Sequence, residues 1–221
     1  MTARLSPSMM CAKIDRLAEV LKDFQAAGVE YLHIDVMDGV FVPNYTLGTD
    51  YVRQLRNLSP IPLDIHLMIT RPEDKIAWFN PQPGEYISVH HESTEDVSAA
   101  LSIIREAGAK PMLAVNPGTP WRAVMPHAHA IDAVLVMTVN PGYAGQALIE
   151  STLPKIRELR DWLDASGHGN VEIEVDGNVS FDNARRMRAM GANLFVAGSS
   201  SVFAAGLTLR EGVDRLREAV E

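Results

Sequence analysis

The chain has 221 residues, 47% of them hydrophobic and 22% charged, enough for a substantial core in a globular protein. Twenty Lys and Arg against 28 Asp and Glu leave a formal charge of −8, which argues against nucleic acid or an anionic membrane surface as a partner. Cys11 is the only cysteine, which excludes an intramolecular disulfide and any multi-cysteine zinc site. No segment approaches the roughly 18 apolar residues of a membrane span, and a cytoplasmic setting is expected.

From the N-terminus onward, short β-branched or apolar runs alternate with longer amphipathic ones. Strands are expected at 3–8, 31–37, 62–68, 86–91, 110–116, 133–139, 171–176 and 193–199. Helical periodicity lies between them, most plainly at 14–28, 94–108 and 153–167. Gly28, Gly108, Gly167 and Gly191 stand where helix C-caps belong, just ahead of the next strand. No Pro/Gly/Ser-rich linker divides the chain. Eight strand–helix units in 221 residues imply an α/β fold, a (β/α)8 TIM barrel, as a single domain over 1–221. A doubly wound open sheet is the alternative, but the first turn, "SPSMMC", lacks the glycine fingerprint of such sheets.

In such barrels the chemistry sits at the C-terminal ends of the strands. Ser8, Asp35, His66, His90, Asn116, Asp176 and Gly198-Ser199 all fall at or near those ends. The stretch "YLHIDVMDG" sets His33 and Asp35 two residues apart, hence on one face of an extended chain. "PLDIHLM" repeats the pattern with Asp64, His66 and Met68, and "EIEVDG" with Glu174 and Asp176. A hydrogen-bonded core network would account for any one of these pairs. If the three strands line one barrel, however, His33, Asp35, His66 and Asp176 converge. Two imidazoles and two carboxylates suit one divalent metal ion, namely zinc, manganese, iron or cobalt. Met37, Met68 and Met137 near strand ends read either as gap-filling core or as a dry, polarizable wall beside a carbanion-like intermediate.

Three glycine-bearing loops follow neighbouring strands: "VNPGYAGQ" (139–146), "DGNVS" (176–180) and "AGSSS" (197–201). Their backbone N–H groups, with short helix N-termini, can grip an anion, and barrels of this kind frequently bind phosphate there. No GxxxxGK[ST] sequence is present, so a nucleoside triphosphate is not the expected ligand.

In order along the chain, "SPSMM", "HIDVMDGVFVPN", "PLDIHLM", "VNPGTP", "VMTVNPGYAGQ", "EVDGN" and "VAGSS" resemble the ribulose-phosphate 3-epimerase family, from Leu5 to about Phe203. The resemblance implies an isomerase that inverts C3 of a ketose phosphate through an enediolate. It implies His33, Asp35, His66 and Asp176 as ligands of one divalent metal ion, and Asp35 and Asp176 as the acid–base pair. It also implies substrate contacts from Ser8 and His66, and phosphate contacts from Gly142, Tyr143, Ala144, Gly145, Gly177, Gly198 and Ser199. The family commonly forms dimers or hexamers, so a homo-oligomer is expected. D-ribulose 5-phosphate and D-xylulose 5-phosphate are the expected pair, with D-allulose 6-phosphate and D-fructose 6-phosphate the alternative.

Departures from the family pattern bear on that choice. Gly177-Asn178 replaces the usual two glycines, "GYAG" (142–145) replaces Gly-Phe-Gly-Gly, and Thr49 stands where proline is usual. Pocket length near "PNYTLGT" and His90-His91-Glu92 is expected to separate pentulose from hexulose. A decarboxylase of the related barrels is disfavoured, because Asp64-Ile65-His66 stands where those proteins have Asp-x-Lys. A non-catalytic sugar-phosphate sensor would have no need of two carboxylates with two histidines.

Overall fold

The computed structural model describes residues 1–221. Nine strands alternate with six helices: β1 (Arg4–Pro7), α1 (Leu17–Ala26), β2 (Leu32–Asp38), β3 (Tyr45–Thr46), α2 (Thr49–Leu58), β4 (Leu63–Met68), β5 (Tyr86–His90), α3 (Val97–Glu106), β6 (Lys110–Val115), β7 (Ala133–Met137), α4 (Thr152–Ala165), β8 (Glu172–Asp176), α5 (Phe181–Met190), β9 (Leu194–Ala197) and α6 (Leu209–Val220). Each of the eight expected strands is present within two residues of its expected ends. The strands run β1-β9-β8-β7-β6-β5-β4-β2, all parallel, with β3 added antiparallel to the end of β2. The sheet curls until its edges meet. A parallel bridge between Ser8 and His33 joins β1 to β2, and the Tyr31 N–H donates to the Leu5 carbonyl at 3.2 Å.

Alternation along each strand sorts the core into two parts. Outward residues such as Ile34, Val36, Ile65, Leu67, Ile87 and Val89 pack under the helices in the main apolar core. Helix α1 meets that core through Val20, Leu21 and Phe24, one helical face. Inward residues form a smaller apolar cluster that includes Tyr31, Tyr86, Met112, Leu135 and Leu194. The polar residues share this inward face. Register sets His33 beside Asp64, Asp35 beside His66 and Met37 beside Met68, while Met137 lies beside Asp176.

Two details differ from the sequence expectation. The β4–β5 and β6–β7 crossovers contain only 3-10 turns, at Pro72–Asp74, Ile76–Phe79 and Trp121–His127. Proline removes backbone donors in both segments, and Pro126 lies inside the last one. Strand β3 is only two residues long, too short for an alternating pattern to reveal.

Helix α6 begins with a capping box between Thr208 and Glu211 and packs onto the segment that follows β9. A Cβ on Gly212 would stand 2.7 Å from the Val202 carbonyl oxygen and 2.8 Å from its Cα. Main chain cannot yield as a side-chain tip would. Overpacking should therefore cost Gly212→Ala about 1–3 kcal/mol, against about 1 kcal/mol gained in helix propensity. The urea midpoint should fall with an unchanged m-value; a raised midpoint would mean that α6 shifts freely.

Candidate active site

At the C-terminal ends of the strands lies a cavity whose floor is Asp35, Asp176, Ser8 and the methionines, and whose walls are the three glycine-bearing loops. Every expected phosphate residue lines it: Gly142, Tyr143, Ala144, Gly145, Gly177, Gly198 and Ser199. No Lys or Arg does. An anion there would meet neutral donors: backbone N–H groups, hydroxyls and the side-chain amides of Asn140, Gln146 and Asn178.

Ligand-type atoms of His33, Asp35, His66 and Asp176 lie within 4.8 Å of one another. Asp35 Oδ1 is 3.3 Å from His33 Nε2 and 3.6 Å from His66 Nδ1, and Asp176 Oδ2 is 3.7 Å from His66 Nδ1. Both of those imidazole nitrogens are buried without a hydrogen-bond partner. The opposite nitrogens are engaged: His33 Nδ1 is 2.6 Å from Asp64 Oδ2, and His66 Nε2 is 2.8 Å from His90 Nε2. Two unpartnered nitrogens facing two carboxylates are a donor set that fits a divalent first-row cation.

Below this group, fully buried, come Asp64 and Glu174, which share His33 in a second cluster. Burial, and then the charge of Asp64, push the Glu174 carboxyl well above its ordinary range, so it holds a proton. In the site itself, burial opposes a proton on His33, but Asp64 and Asp35 outweigh it and hold the imidazole charged. Burial likewise works to raise Asp35, yet His33 and His66 keep it far below the carboxylate range. Asp176 goes the other way: burial, then Asp35, push it up to about 7. Two carboxyls in one cavity are thus pushed in opposite directions, Asp35 toward the anion and Asp176 toward the acid. Ser8 Oγ donates to Asp35 Oδ2 at 2.6 Å and fixes that carboxylate's orientation.

Met37 and Met68 pack together with Val42, flanked by Met10 and Phe41, while Met137 belongs to the barrel interior. Among the loops, a Cβ on Gly177 (φ 118°) would stand 2.8 Å from Val139 N, so only glycine fits beside that strand end. Asn178 adopts φ 47°, a left-handed conformation Asn tolerates, and its Nδ2 donates to the Gln146 carbonyl at 2.6 Å. Asn44 Nδ2 donates to the Gly142 carbonyl at 2.9 Å, and the Tyr143 hydroxyl to that of Pro43.

Three rim residues from the sequence do not line the cavity: His66, fully buried behind the two aspartates, His90 and Asn116. His90 is fully buried beneath Phe41, with ring centroids 4.9 Å apart, and does not line the cavity. The Asn116 N–H donates to Glu92 Oε1 at 2.8 Å, away from the floor. Neither Tyr45 nor Thr49 lines the cavity: Tyr45 is 78% exposed and Thr49 opens α2. Met10, Cys11 and Gln146 do line it and went unassigned in the sequence, although "SPSMMC" and "GYAGQ" already flanked assigned residues.

Fold and site define a (β/α)8 barrel with a buried carboxylate pair and an imidazole pair able to accept a cation beneath a glycine-built rim. The chain belongs to the ribulose-phosphate 3-epimerase family, a family of isomerases, which it matches over residues 4–203. It is 40% identical over 197 residues to the ribulose-phosphate 3-epimerase of Bacillus subtilis, covering 89% of this chain and 91% of that one. Against the chloroplastic ribulose-5-phosphate-3-epimerase of Arabidopsis thaliana it is 43% identical over 198 residues, covering 89% and 70%. The fold is also that of 3-keto-L-gulonate-6-phosphate decarboxylase from Vibrio cholerae, with TM-score 0.71, 14% identity and coverage of 100% and 98%. No helix is long and apolar enough to cross a membrane.

A divalent ion entering this site must displace protons, because Asp176 titrates near 7 and His33 is held charged. Its apparent affinity should therefore fall as the pH drops from 8 to 6, with a slope that approaches about tenfold per unit for each displaced proton once the pH is below that group's pKa. Calorimetry in two buffers of different ionisation enthalpy counts those protons. Affinity independent of pH, with no proton released, would mean that both groups start deprotonated.

Proposed function

We propose that the chain inverts C3 of a ketose phosphate, with D-ribulose 5-phosphate and D-xylulose 5-phosphate as the preferred pair. Family membership and relatives named ribulose-phosphate 3-epimerase support the reaction class. The observation that carries the chemistry is the Asp35–Asp176 pair, two carboxyls at the floor of one cavity whose surroundings push their proton affinities in opposite directions.

The C3 proton is acidified by the neighbouring C2 carbonyl, and its removal leaves an enediolate. One aspartate takes that proton from one face of C3; the other returns a proton from the opposite face, which inverts the centre. The roles exchange when the reaction runs backward. His33, Asp35, His66 and Asp176 would hold the divalent ion, which when bound supplies Lewis-acid stabilisation of the enediolate oxygens. Ser8 keeps Asp35 aimed, and Met37, Met68 and Met137 keep water from the carbanionic centre. The loops at 142–145, 177 and 198–199 hold the phosphate through backbone N–H groups.

D-allulose 6-phosphate and D-fructose 6-phosphate are the second reading. It is favoured by one observation: Tyr143, Ala144 and Asn178, all departures from the family pattern, line the cavity. The ratio of kcat/KM for ribulose 5-phosphate and allulose 6-phosphate, measured side by side on metal-loaded protein, decides between them. Activity on neither, with metal bound, would leave the chemistry standing and point to a different ketose phosphate.

Asp35→Asn and Asp176→Asn should each lower kcat by about 10²–10⁴-fold with an unchanged circular dichroism spectrum. Near-normal turnover in either variant would sink the two-carboxylate scheme.

A further inference from the structure

We infer that Glu92 sets the tautomer of His66 through His90, so that a carboxylate outside the substrate cavity determines whether the inward nitrogen of His66 carries a lone pair. This inference rests on the metal site proposed above. Three side chains run in line from the cavity floor toward the rim. His66 Nδ1 faces Asp35 Oδ1 and Asp176 Oδ2 at 3.6 and 3.7 Å. Its other nitrogen, Nε2, is 2.8 Å from His90 Nε2, and His90 Nδ1 is 3.2 Å from Glu92 Oε2. The two ring centroids are 5.0 Å apart with planes at 23°, so with nitrogens this close the rings meet edge to edge rather than face to face. Both imidazoles are fully buried, whereas the Glu92 side chain keeps 22% of its surface exposed.

A neutral imidazole has one N–H donor and one lone-pair acceptor on its two nitrogens, and an ionised carboxylate only accepts. Direction therefore passes unchanged along the line. Glu92 requires the proton of His90 on Nδ1. His90 Nε2 is then the acceptor, so His66 must donate from Nε2. His66 Nδ1 is left with its lone pair aimed at the two aspartates, which is what a cation needs and an N–H would deny. A donor at position 92 would reverse both rings and put a hydrogen on that nitrogen. His33 is oriented directly, with its Nδ1 2.6 Å from Asp64 Oδ2 and its Nε2 facing inward, so that loss of the Nε2 proton bares its lone pair on the same side. Partners of this kind orient metal-binding histidines; here one of the two acts through a second ring.

Glu92 also secures a loop, but with its other oxygen. Oε1 accepts the Asn116 N–H at 2.8 Å and the Thr119 hydroxyl, while Oε2 faces His90. The two duties can therefore be separated. In metal-free protein, long-range ¹⁵N–¹H correlation spectra should show His66 as the Nε2–H form and His90 as the Nδ1–H form. Glu92→Leu should lose that single-tautomer signature at both rings and bind cobalt(II), the probe ion, about 10–100-fold more weakly. Glu92→Gln, whose amide oxygen is claimed by the Asn116 N–H and the Thr119 hydroxyl, turns its NH2 toward His90 Nδ1 and should reverse both tautomers and weaken cobalt binding while keeping the loop secured. Thr119→Val should bind cobalt as the wild type does. His90→Phe cuts the same line from inside the barrel and must also abolish the pure Nε2–H form of His66, which covers the case of a poorly folded Glu92→Leu.

Unchanged affinity and an unchanged His66 tautomer in Glu92→Leu would overturn the inference. So would an equal loss in Thr119→Val, which would reduce Glu92 to a loop clamp. If the wild type takes up no cobalt, the proposed metal site fails instead, and the tautomer spectra of the metal-free variants alone decide the relay.

Discussion

His33 lies between two carboxylates, Asp35 at one ring nitrogen and Asp64 at the other, and the rest of the barrel interior accommodates that arrangement. A buried ion is costly unless it is paired and hydrogen-bonded. Three further carboxyl and imidazole groups crowd the same space, and they cannot all be charged. The structure resolves the conflict by placing protons: His33 is held charged, Asp35 and Asp64 ionised, Glu174 and near neutrality Asp176 protonated. Burial first, and then the neighbouring Asp35 anion, push the Asp176 carboxyl up. The difference between the two carboxyls is thus set by their surroundings rather than by any special feature of Asp176 itself.

The same contacts close the barrel. Between β1 and β2 there is one bridge and little backbone pairing, and side chains supply the rest. Ser8 Oγ, just beyond β1, donates to Asp35 on β2 at 2.6 Å, and Ser6 Oγ reaches past β2 to Asp64 on β4 at 2.8 Å. The seam of the sheet and the floor of the cavity are therefore built from one set of hydrogen bonds. A substitution that loosens one loosens the other.

Much of this was legible in the sequence because alternation is a local property. "YLHIDVMDG" and "PLDIHLM" announce which side chains share a face, and eight such runs imply a ring in which those faces meet. The convergence of His33, Asp35, His66 and Asp176 followed from that geometry. His90 was misread as a rim residue and pocket-length determinant, because alternation fixes its face but not its depth. Its burial depends on Phe41 folding over it from another loop. The opposite protonation tendencies of Asp35 and Asp176 were illegible for a similar reason, since residue type is the same and only the surroundings differ. Tyr143 and Asn178 were visible as departures, but their bonds to Pro43 and Gln146 join segments distant in sequence.

The absence of Lys and Arg from the cavity wall bears on how a phosphorylated ligand would arrive. Neutral dipoles hold an anion only at contact distance, whereas a formal charge of −8 is felt across a Debye length of about 8–10 Å. A dianion thus approaches against a repulsive field and is captured only at close range. Added salt screens that charge, so the uptake of a dianion here would lack the steep loss with ionic strength of electrostatically steered enzymes.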